Sequence, residues 1–295
     1  MEIDSKCRIC PRNCNIDRNI TKGYCKAGSL PRVAKAFLHM WEEPCISGTK
    51  GSGTVFFSGC NLRCIYCQNS KISHGNFGKE ISIEHLAELF LSLQSKGAHN
   101  INLVNPTHYV RQIRESLTYA GGLKVPVVYN SNGYESRETL QVMEGFADIY
   151  LPDFKYLNNE TGRKYSNVDN YFEIAASAIT EMYRQVGGPV FDEEGIIKKG
   201  LIIRHLILPG KTEESIKVLD WMRQNLPGDI YVSLMSQYLP CYKAKEHPEI
   251  NRRIIRKEYE RVINHFYRLG FENGYIQERD SAEETYIPEF DLEGI

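Results

Sequence analysis

Three cysteines in the run Cys60-Asn-Leu-Arg-Cys64-Ile-Tyr-Cys67 form the most chemically loaded stretch of the chain. Their spacing wraps a tight loop that can aim three thiolates at one metal centre. Structural zinc and ordinary electron-transfer clusters close their coordination with four protein ligands, whereas three ligands leave one metal corner open to a substrate. The loop therefore reads as a catalytic metal site, unless a residue such as His74 or Cys45 supplies a fourth ligand and makes it structural zinc. A second group, Cys7-x-x-Cys10-Pro-x-x-Cys14 with Cys25, puts four thiols in a segment with too few hydrophobes to fold unaided. Metal is the expected brace there. The Cys-Pro step and the three-residue gap lean towards a second [4Fe–4S] cluster able to relay electrons, while zinc in a purely structural role suits four thiolates as well.

The bulk composition supports metal over disulfides. The chain has 295 residues, 42% apolar and 25% charged, which is ordinary globular material. Its start has neither a basic nor an apolar leader-like region, and no stretch approaches the roughly 18 apolar residues of a membrane span. We therefore expect a cytoplasmic protein with no membrane partner, in a reducing compartment that disfavours disulfides. Eight of the nine cysteines precede residue 70, a crowding that points to metal sites. A formal net charge of −1 gives no positive field for phosphates, so nucleic acid is not an expected partner, and the basic run around Arg252–Lys257 reads as a solvated helix face. The single cysteines Cys45 and Cys241 read as small buried hydrophobes, although a thiol at Cys241 near a barrel rim could return a hydrogen atom to a substrate radical.

These groups need elements to hold them. From residue 53 onward, short β-rich runs alternate with amphipathic stretches of helical length, which predicts βα units around a parallel sheet. The expected strands are 53–57, 100–104, 125–129, 149–151, 201–208, 230–235 and 274–277. Ser82 is expected to cap a helix with Leu86, Leu89, Phe90 and Leu93 on one face, and Tyr259, Val262, Ile263 and Phe266 mark another. Three units follow: a Cys-rich metal-binding extension over 1–50, a barrel over 51–277 and an acidic tail over 278–295. Residues 187–200 read as a long loop.

Working residues of parallel barrels gather at the C-terminal ends of strands. There stand Asp153 and Lys155, two apart, which extended geometry would point the same way, or which an ordinary turn after Pro152 would leave at the surface. Arg204 interrupts an apolar strand and must meet an opposite charge, either a ligand carboxylate or a barrel acid. Asn130, Ser131 and Asn132 close one strand with groups able to bond a ligand, though Asn-Gly is also a turn signal. Asn105 to His108 follows another strand, and Thr107 can equally cap a helix. Ser236, Gln237, Gln277 and Glu278 are further rim positions.

The triplet directly after an opening strand resembles the signature of the radical S-adenosylmethionine superfamily. That resemblance implies an α/β fold built as a partial (β/α)6 TIM-like barrel, and a [4Fe–4S] cluster at Cys60, Cys64 and Cys67. The open iron would chelate the amino and carboxylate groups of S-adenosylmethionine. Reduction of the sulfonium would then yield methionine and a 5′-deoxyadenosyl radical that takes hydrogen from a substrate. Tyr66 matches the aromatic beside the adenine, Asn105 stands where a related motif contacts the cofactor's amino group, and Asp153-Phe-Lys155 resembles the Asp-x-Lys element of glycyl-radical activases. Arg204-His-Leu-x-Leu-Pro-Gly, Met235-Ser-Gln-Tyr238 and Gly274-Tyr-Ile-Gln-Glu278 extend the likeness to pyruvate formate-lyase activating enzyme-like proteins over nearly the whole chain. In activases with extra clusters the added cysteines follow the triplet, whereas here they precede it. The implied function is radical formation on a protein or peptide, with flavodoxin or ferredoxin as electron donor. A small-molecule substrate and a non-catalytic metal or electron-transfer protein are the alternatives.

Overall fold

The computed structural model describes residues 6–278 and 288–295. In chain order the strands are β1 (Arg32–His39), β2 (Ser52–Phe57), β3 (Lys79–Glu80), β4 (Ile101–Val104), β5 (Val127–Ser131), β6 (Ile149–Pro152), β7 (Val190–Phe191), β8 (Ile197–Leu206), β9 (Tyr231–Met235) and β10 (Gly274–Ile276). Each of the seven apolar runs expected to be a strand is one, with ends shifted by a few residues. Hydrogen bonding runs β2-β4-β5-β6-β8-β9-β10 with every pair parallel. β1 continues the sheet antiparallel to β2, and β3 forms the far edge. The path does not close, so the molecule is an α/β partial barrel of the TIM-like kind, with β10 as a parallel strand beyond the first six.

The two-residue period of a strand separates its faces. On the outer face Tyr129, Tyr150, Leu201 and Ile203 join one large core with helix residues such as Leu86, Phe90, Ile113, Leu140, Ile179 and Leu219. The inner face holds a smaller core of Val128, Ile149, Leu151 and Ile202, plugged by Cys45 and Ile46. Two residues beyond these inner positions stand Asn130, Asp153 and Arg204. The alternation that packs the barrel interior therefore delivers polar side chains to its open end. The helix Ile83–Ser95 starts as its sequence dictates, the Ser82 hydroxyl accepting from the His85 N–H at 3.1 Å. Among the described residues no helix is long and apolar enough to cross a membrane.

Two expectations are corrected. Residues 1–50 are not an appendage throughout: Arg32–His39 is a sheet strand, registered from Val33 opposite Phe57 to His39 opposite Ser52. Its alternation is masked because Val33, Ala34, Lys35 and Ala36 are all buried, Val33 and Ala36 in the large core and Ala34 beside Phe56, Ile72 and Phe290. The span 187–200 is not a plain loop but a β-hairpin in which β7 pairs antiparallel with β8. The tail, as far as it is described, is anchored: the Ala36 N–H donates to the Glu293 carbonyl at 2.9 Å, Lys35 pairs with Glu293 at 2.8 Å, and Phe290 packs on Phe56. Residues 279–287 of the expected tail lie outside the described residues.

Candidate active site

A cavity of about 280 Å³ opens at the C-terminal ends of the parallel strands, and all three triplet cysteines line it. So do Tyr66, Asn105, Asn130, Ser131, Asp153, Lys155 and Arg204, the residues singled out for the cofactor. Five segments far apart in sequence thus meet around one space. The interior position of a barrel is the reason, since every strand of a parallel sheet ends at the same face.

The Cys60–Cys67 loop is held from several sides. The Arg63 guanidinium donates to the Cys60 carbonyl at 3.0 Å, to the Ser73 carbonyl at 3.3 Å and to the Tyr24 carbonyl. The N–H groups of Arg63 and Ile65 donate to the carbonyls of Ser166 and Tyr165, at 3.0 and 2.9 Å. Each thiol has a polar neighbour: Asn132 Nδ2 donates to Cys60 Sγ at 3.4 Å, Ser166 Oγ lies 2.9 Å from Cys64 Sγ, and Ser73 Oγ lies 3.2 Å from Cys67 Sγ. Burial pushes all three thiols up to about 11. Such thiols become ligands only where a cation draws off their protons.

Behind the loop the Tyr66 hydroxyl meets that of Tyr156, which lies 2.8 Å from Ser166 Oγ. Tyr66 is thereby fixed edge-on to Tyr238, with ring centroids 5.9 Å apart. Asn105 adopts φ 58, a left-handed conformation that asparagine tolerates, and its amide donates to the Gly59 carbonyl at 2.5 Å.

Opposite the thiols lies a buried charge network. Arg204 Nε donates to Asp153 Oδ1 at 2.9 Å, Lys155 Nζ to Asp153 Oδ2 at 2.6 Å, and a second Arg204 nitrogen to Glu42 Oε2 at 3.2 Å. A third donates to Asn130 Oδ1 at 2.6 Å. Burial alone would raise the Asp153 carboxyl, but Lys155 and Arg204 outweigh it and hold it below its ordinary range. Burial likewise lowers Lys155, and Asp153 more than restores it. Burial raises Glu42, with Arg204 opposing. The charge on Arg204 is met by barrel acids, one of the two partners foreseen, while its guanidinium still faces the cavity.

Glu42, His39 and Trp41 line the cavity but carry no signal in the sequence, because they sit in a stretch without periodicity where β1 ends. Only knowledge that β1 enters the sheet could have found them. Asn132 and Gln237 line the cavity too, whereas Ser236 is spent on the backbone, its hydroxyl donating to the Gln277 and Glu278 carbonyls. Thr107 is no helix cap; its hydroxyl donates to Glu135 at 2.6 Å. Cys241 does not line the cavity and donates to the Tyr66 carbonyl at 3.2 Å. His205 points outward to Ser215 and the Phe154 carbonyl. Neither proposed fourth zinc ligand reaches the cavity: Cys45 is in the inner core, and His74 bonds Ser73 at 2.8 Å. Cys7, Cys10, Cys14 and Cys25 gather around a separate small cavity.

Three thiols with no fourth protein ligand among the described residues, beside a cavity lined by both cations and amides, fit a cluster with one open iron and an amino-acid ligand. Residues 54–222 match the family model of the Radical SAM superfamily. An uncharacterized protein of Methanocaldococcus jannaschii, MJ0674, is 34% identical over 271 residues, covering 88% of this chain and 74% of that one. Among solved structures, Streptococcus suis SuiB bound to the precursor peptide SuiA superposes with a TM-score of 0.52 at 13% identity, over 74% of this chain and 46% of SuiB. Native anSMEcpe with bound S-adenosylmethionine gives 0.52 at 14% identity, over 74% and 61% of the two chains. The chain thus spans about half the length of SuiB, and at such identities these likenesses speak for the fold alone. With the family model covering more than half the sequence and the three thiols, one per predicted position, facing the barrel's open end, this chain belongs to the Radical SAM superfamily.

Proposed function

We propose that this radical enzyme directs its 5′-deoxyadenosyl radical at a protein or peptide segment, as a glycyl-radical activase does, presented at the barrel mouth. The observation that carries the reading is the arrangement of the cavity: thiols on one wall, the Arg204 network on the other, and at its lip Trp41, which lines the space yet is 62% exposed. An exposed aromatic at the entrance suits a chain segment laid across it. SuiB and anSMEcpe, which share the fold, have each been determined with a peptide.

Cys60, Cys64 and Cys67 would hold a [4Fe–4S] cluster, which would supply the electron for reductive cleavage of S-adenosylmethionine. The chain's own residues do the rest. Arg204 and Lys155 offer positive charge to the methionine carboxylate, each held by Asp153 so that no reorganisation is needed on binding. Asn105, Asn130 and Ser131 present amide and hydroxyl groups to the amino and ribose portions, and Tyr66 forms a flat wall for adenine. Phe56, Val104, Leu206, Met235 and Leu239 line the remaining wall and keep water from the radical. Hydrogen abstraction then needs little more than proximity.

The test is anaerobic. Reconstituted, reduced protein given S-adenosylmethionine should release 5′-deoxyadenosine, and Cys64→Ala should abolish that release; unchanged release in the variant would overturn the assignment. With α-deuterated peptides, label should appear in 5′-deoxyadenosine. Label arriving only from small molecules would overturn the peptide reading and leave the radical chemistry standing.

A further inference from the structure

The four N-terminal cysteines are brought together by a short self-bonded fold. The Cys7 N–H donates to the Ile16 carbonyl at 2.7 Å, the Asn15 N–H returns to the Cys7 carbonyl at 2.9 Å, and the Asn13 N–H donates to the Cys10 carbonyl at 3.0 Å. The Tyr24 N–H points at Cys14 Sγ, 3.4 Å away. Cys7, Cys10, Cys14 and Cys25 then line one cavity together with Arg18 and His108.

Two buried side chains there each keep one unbonded nitrogen. His108 is 2% exposed, and its Nε2 donates to the Ser58 carbonyl at 2.8 Å, which leaves Nδ1 unbonded. Arg18 is 6% exposed and bonds the carbonyls of His108 and Gly28, neither of which carries charge, while its Nε is unbonded. A buried guanidinium beside four thiols calls for an anion between them, and a metal thiolate complex is one.

The cavity also abuts the catalytic loop. Gly59, the residue before Cys60, has φ +90, and a β-carbon there would overlap the Cys25 carbonyl oxygen. Arg63, between Cys60 and Cys64, donates to the carbonyl of Tyr24, the residue before Cys25. Zinc would satisfy the thiols and Arg18 equally, but it has no redox chemistry to make use of this contact.

We propose that Cys7, Cys10, Cys14 and Cys25 bind a second iron–sulfur cluster, and that it passes electrons to the cluster at Cys60, Cys64 and Cys67. A reduced one-electron donor of the flavodoxin or ferredoxin class gives one electron to the N-terminal cluster and is itself oxidised. That electron moves across the Cys25–Gly59 contact and is taken up as the sulfonium carbon–sulfur bond breaks. The relay rests on the radical reading above, whereas the metal site does not.

Metal analysis and Mössbauer spectroscopy separate the two claims. The full chain with Cys60→Ala, Cys64→Ala and Cys67→Ala, reconstituted anaerobically, should keep about four irons as one cubane cluster. Zinc in place of iron, or no metal, would overturn the proposal even if the unmodified enzyme cleaves S-adenosylmethionine. The unmodified chain should carry about eight irons; about four irons with one zinc has the same overturning force. For the relay, freeze-quench electron paramagnetic resonance follows reduction of the triplet cluster by reduced flavodoxin. Cys7→Ser with Cys10→Ser, and separately Gly59→Ala, should slow that reduction at least tenfold; an unchanged rate in both refutes the relay.

Discussion

Glu135 offers a quantitative check on how the site is buried. It is 2% exposed and accepts hydrogen bonds from Thr107 Oγ1 at 2.6 Å and Tyr129 Oη at 3.2 Å, thereby tying the end of β4 to β5 beneath Asn105 and Asn130. Burial pushes its carboxyl up to about 8 from an ordinary 4.5, with the Thr107, Tyr129 and Ser131 bonds only partly opposing. The folded chain therefore keeps a proton that the unfolded chain releases from about pH 4.5 upward. Between these values the folded state binds more protons, so this group's contribution to stability falls as pH rises. At 1.36 kcal/mol per pH unit, the loss is about 3 kcal/mol by pH 7 and approaches about 5 kcal/mol above pH 8. Glu135→Gln keeps the shape and removes the ionisation, and the Thr107 and Tyr129 hydroxyls can turn to suit an amide. Urea unfolding at pH 5, 6, 7 and 8 should show the two proteins similar at pH 5, with the variant gaining about 3 kcal/mol on wild type by pH 8. Burial depresses His39 and His205 to about 4 and His108 to about 3, and these lose stability as pH falls below 6.5. They are present in both proteins and cancel in the difference. Parallel stability curves from pH 5 to 8 would refute the reasoning.

Asp153→Asn removes the carboxylate shared by Lys155 at 2.6 Å and Arg204 at 2.9 Å. Arg204 keeps Glu42, but Lys155 is left with an uncompensated buried charge, so stability should fall by about 3–5 kcal/mol and S-adenosylmethionine should bind at least tenfold more weakly. Thermal melting and calorimetric titration measure the two effects, and an unchanged dissociation constant would remove Asp153 from the site. Gly133→Ala places a β-carbon against the Asp153 carbonyl oxygen at φ +78, which should cost about 1–3 kcal/mol and shift the Asn130–Asn132 strand end. An unaltered melting temperature would contradict that backbone contact.

The candidate site residues that the sequence singled out share one property: their signal is local. Cys60, Cys64 and Cys67 lie within one loop, and Asp153 and Lys155 two residues apart. Arg204 betrayed itself as a charge in an apolar run. Glu42 shows the opposite case. Nothing near it in sequence marks it, and it becomes a site residue only because β1 pairs with β2 and carries the following residues over the barrel mouth. The β7–β8 hairpin reads as a loop in the sequence for a related reason, since β7 is two residues long and has no periodicity to detect.

Taken alone, the order of amino acids determined the seven strand runs from residue 53 onward, the helix capped by Ser82 and the two cysteine groups, because period, capping and ligand spacing are properties of neighbours along the chain. Only the tertiary structure decided that Arg204 meets Asp153 and Glu42, that Cys25 rests on Gly59, and that Glu135 is sealed from water. Each of these depends on contacts between residues dozens or more apart, set by how the sheet curves and which strands pair, and no local pattern encodes that.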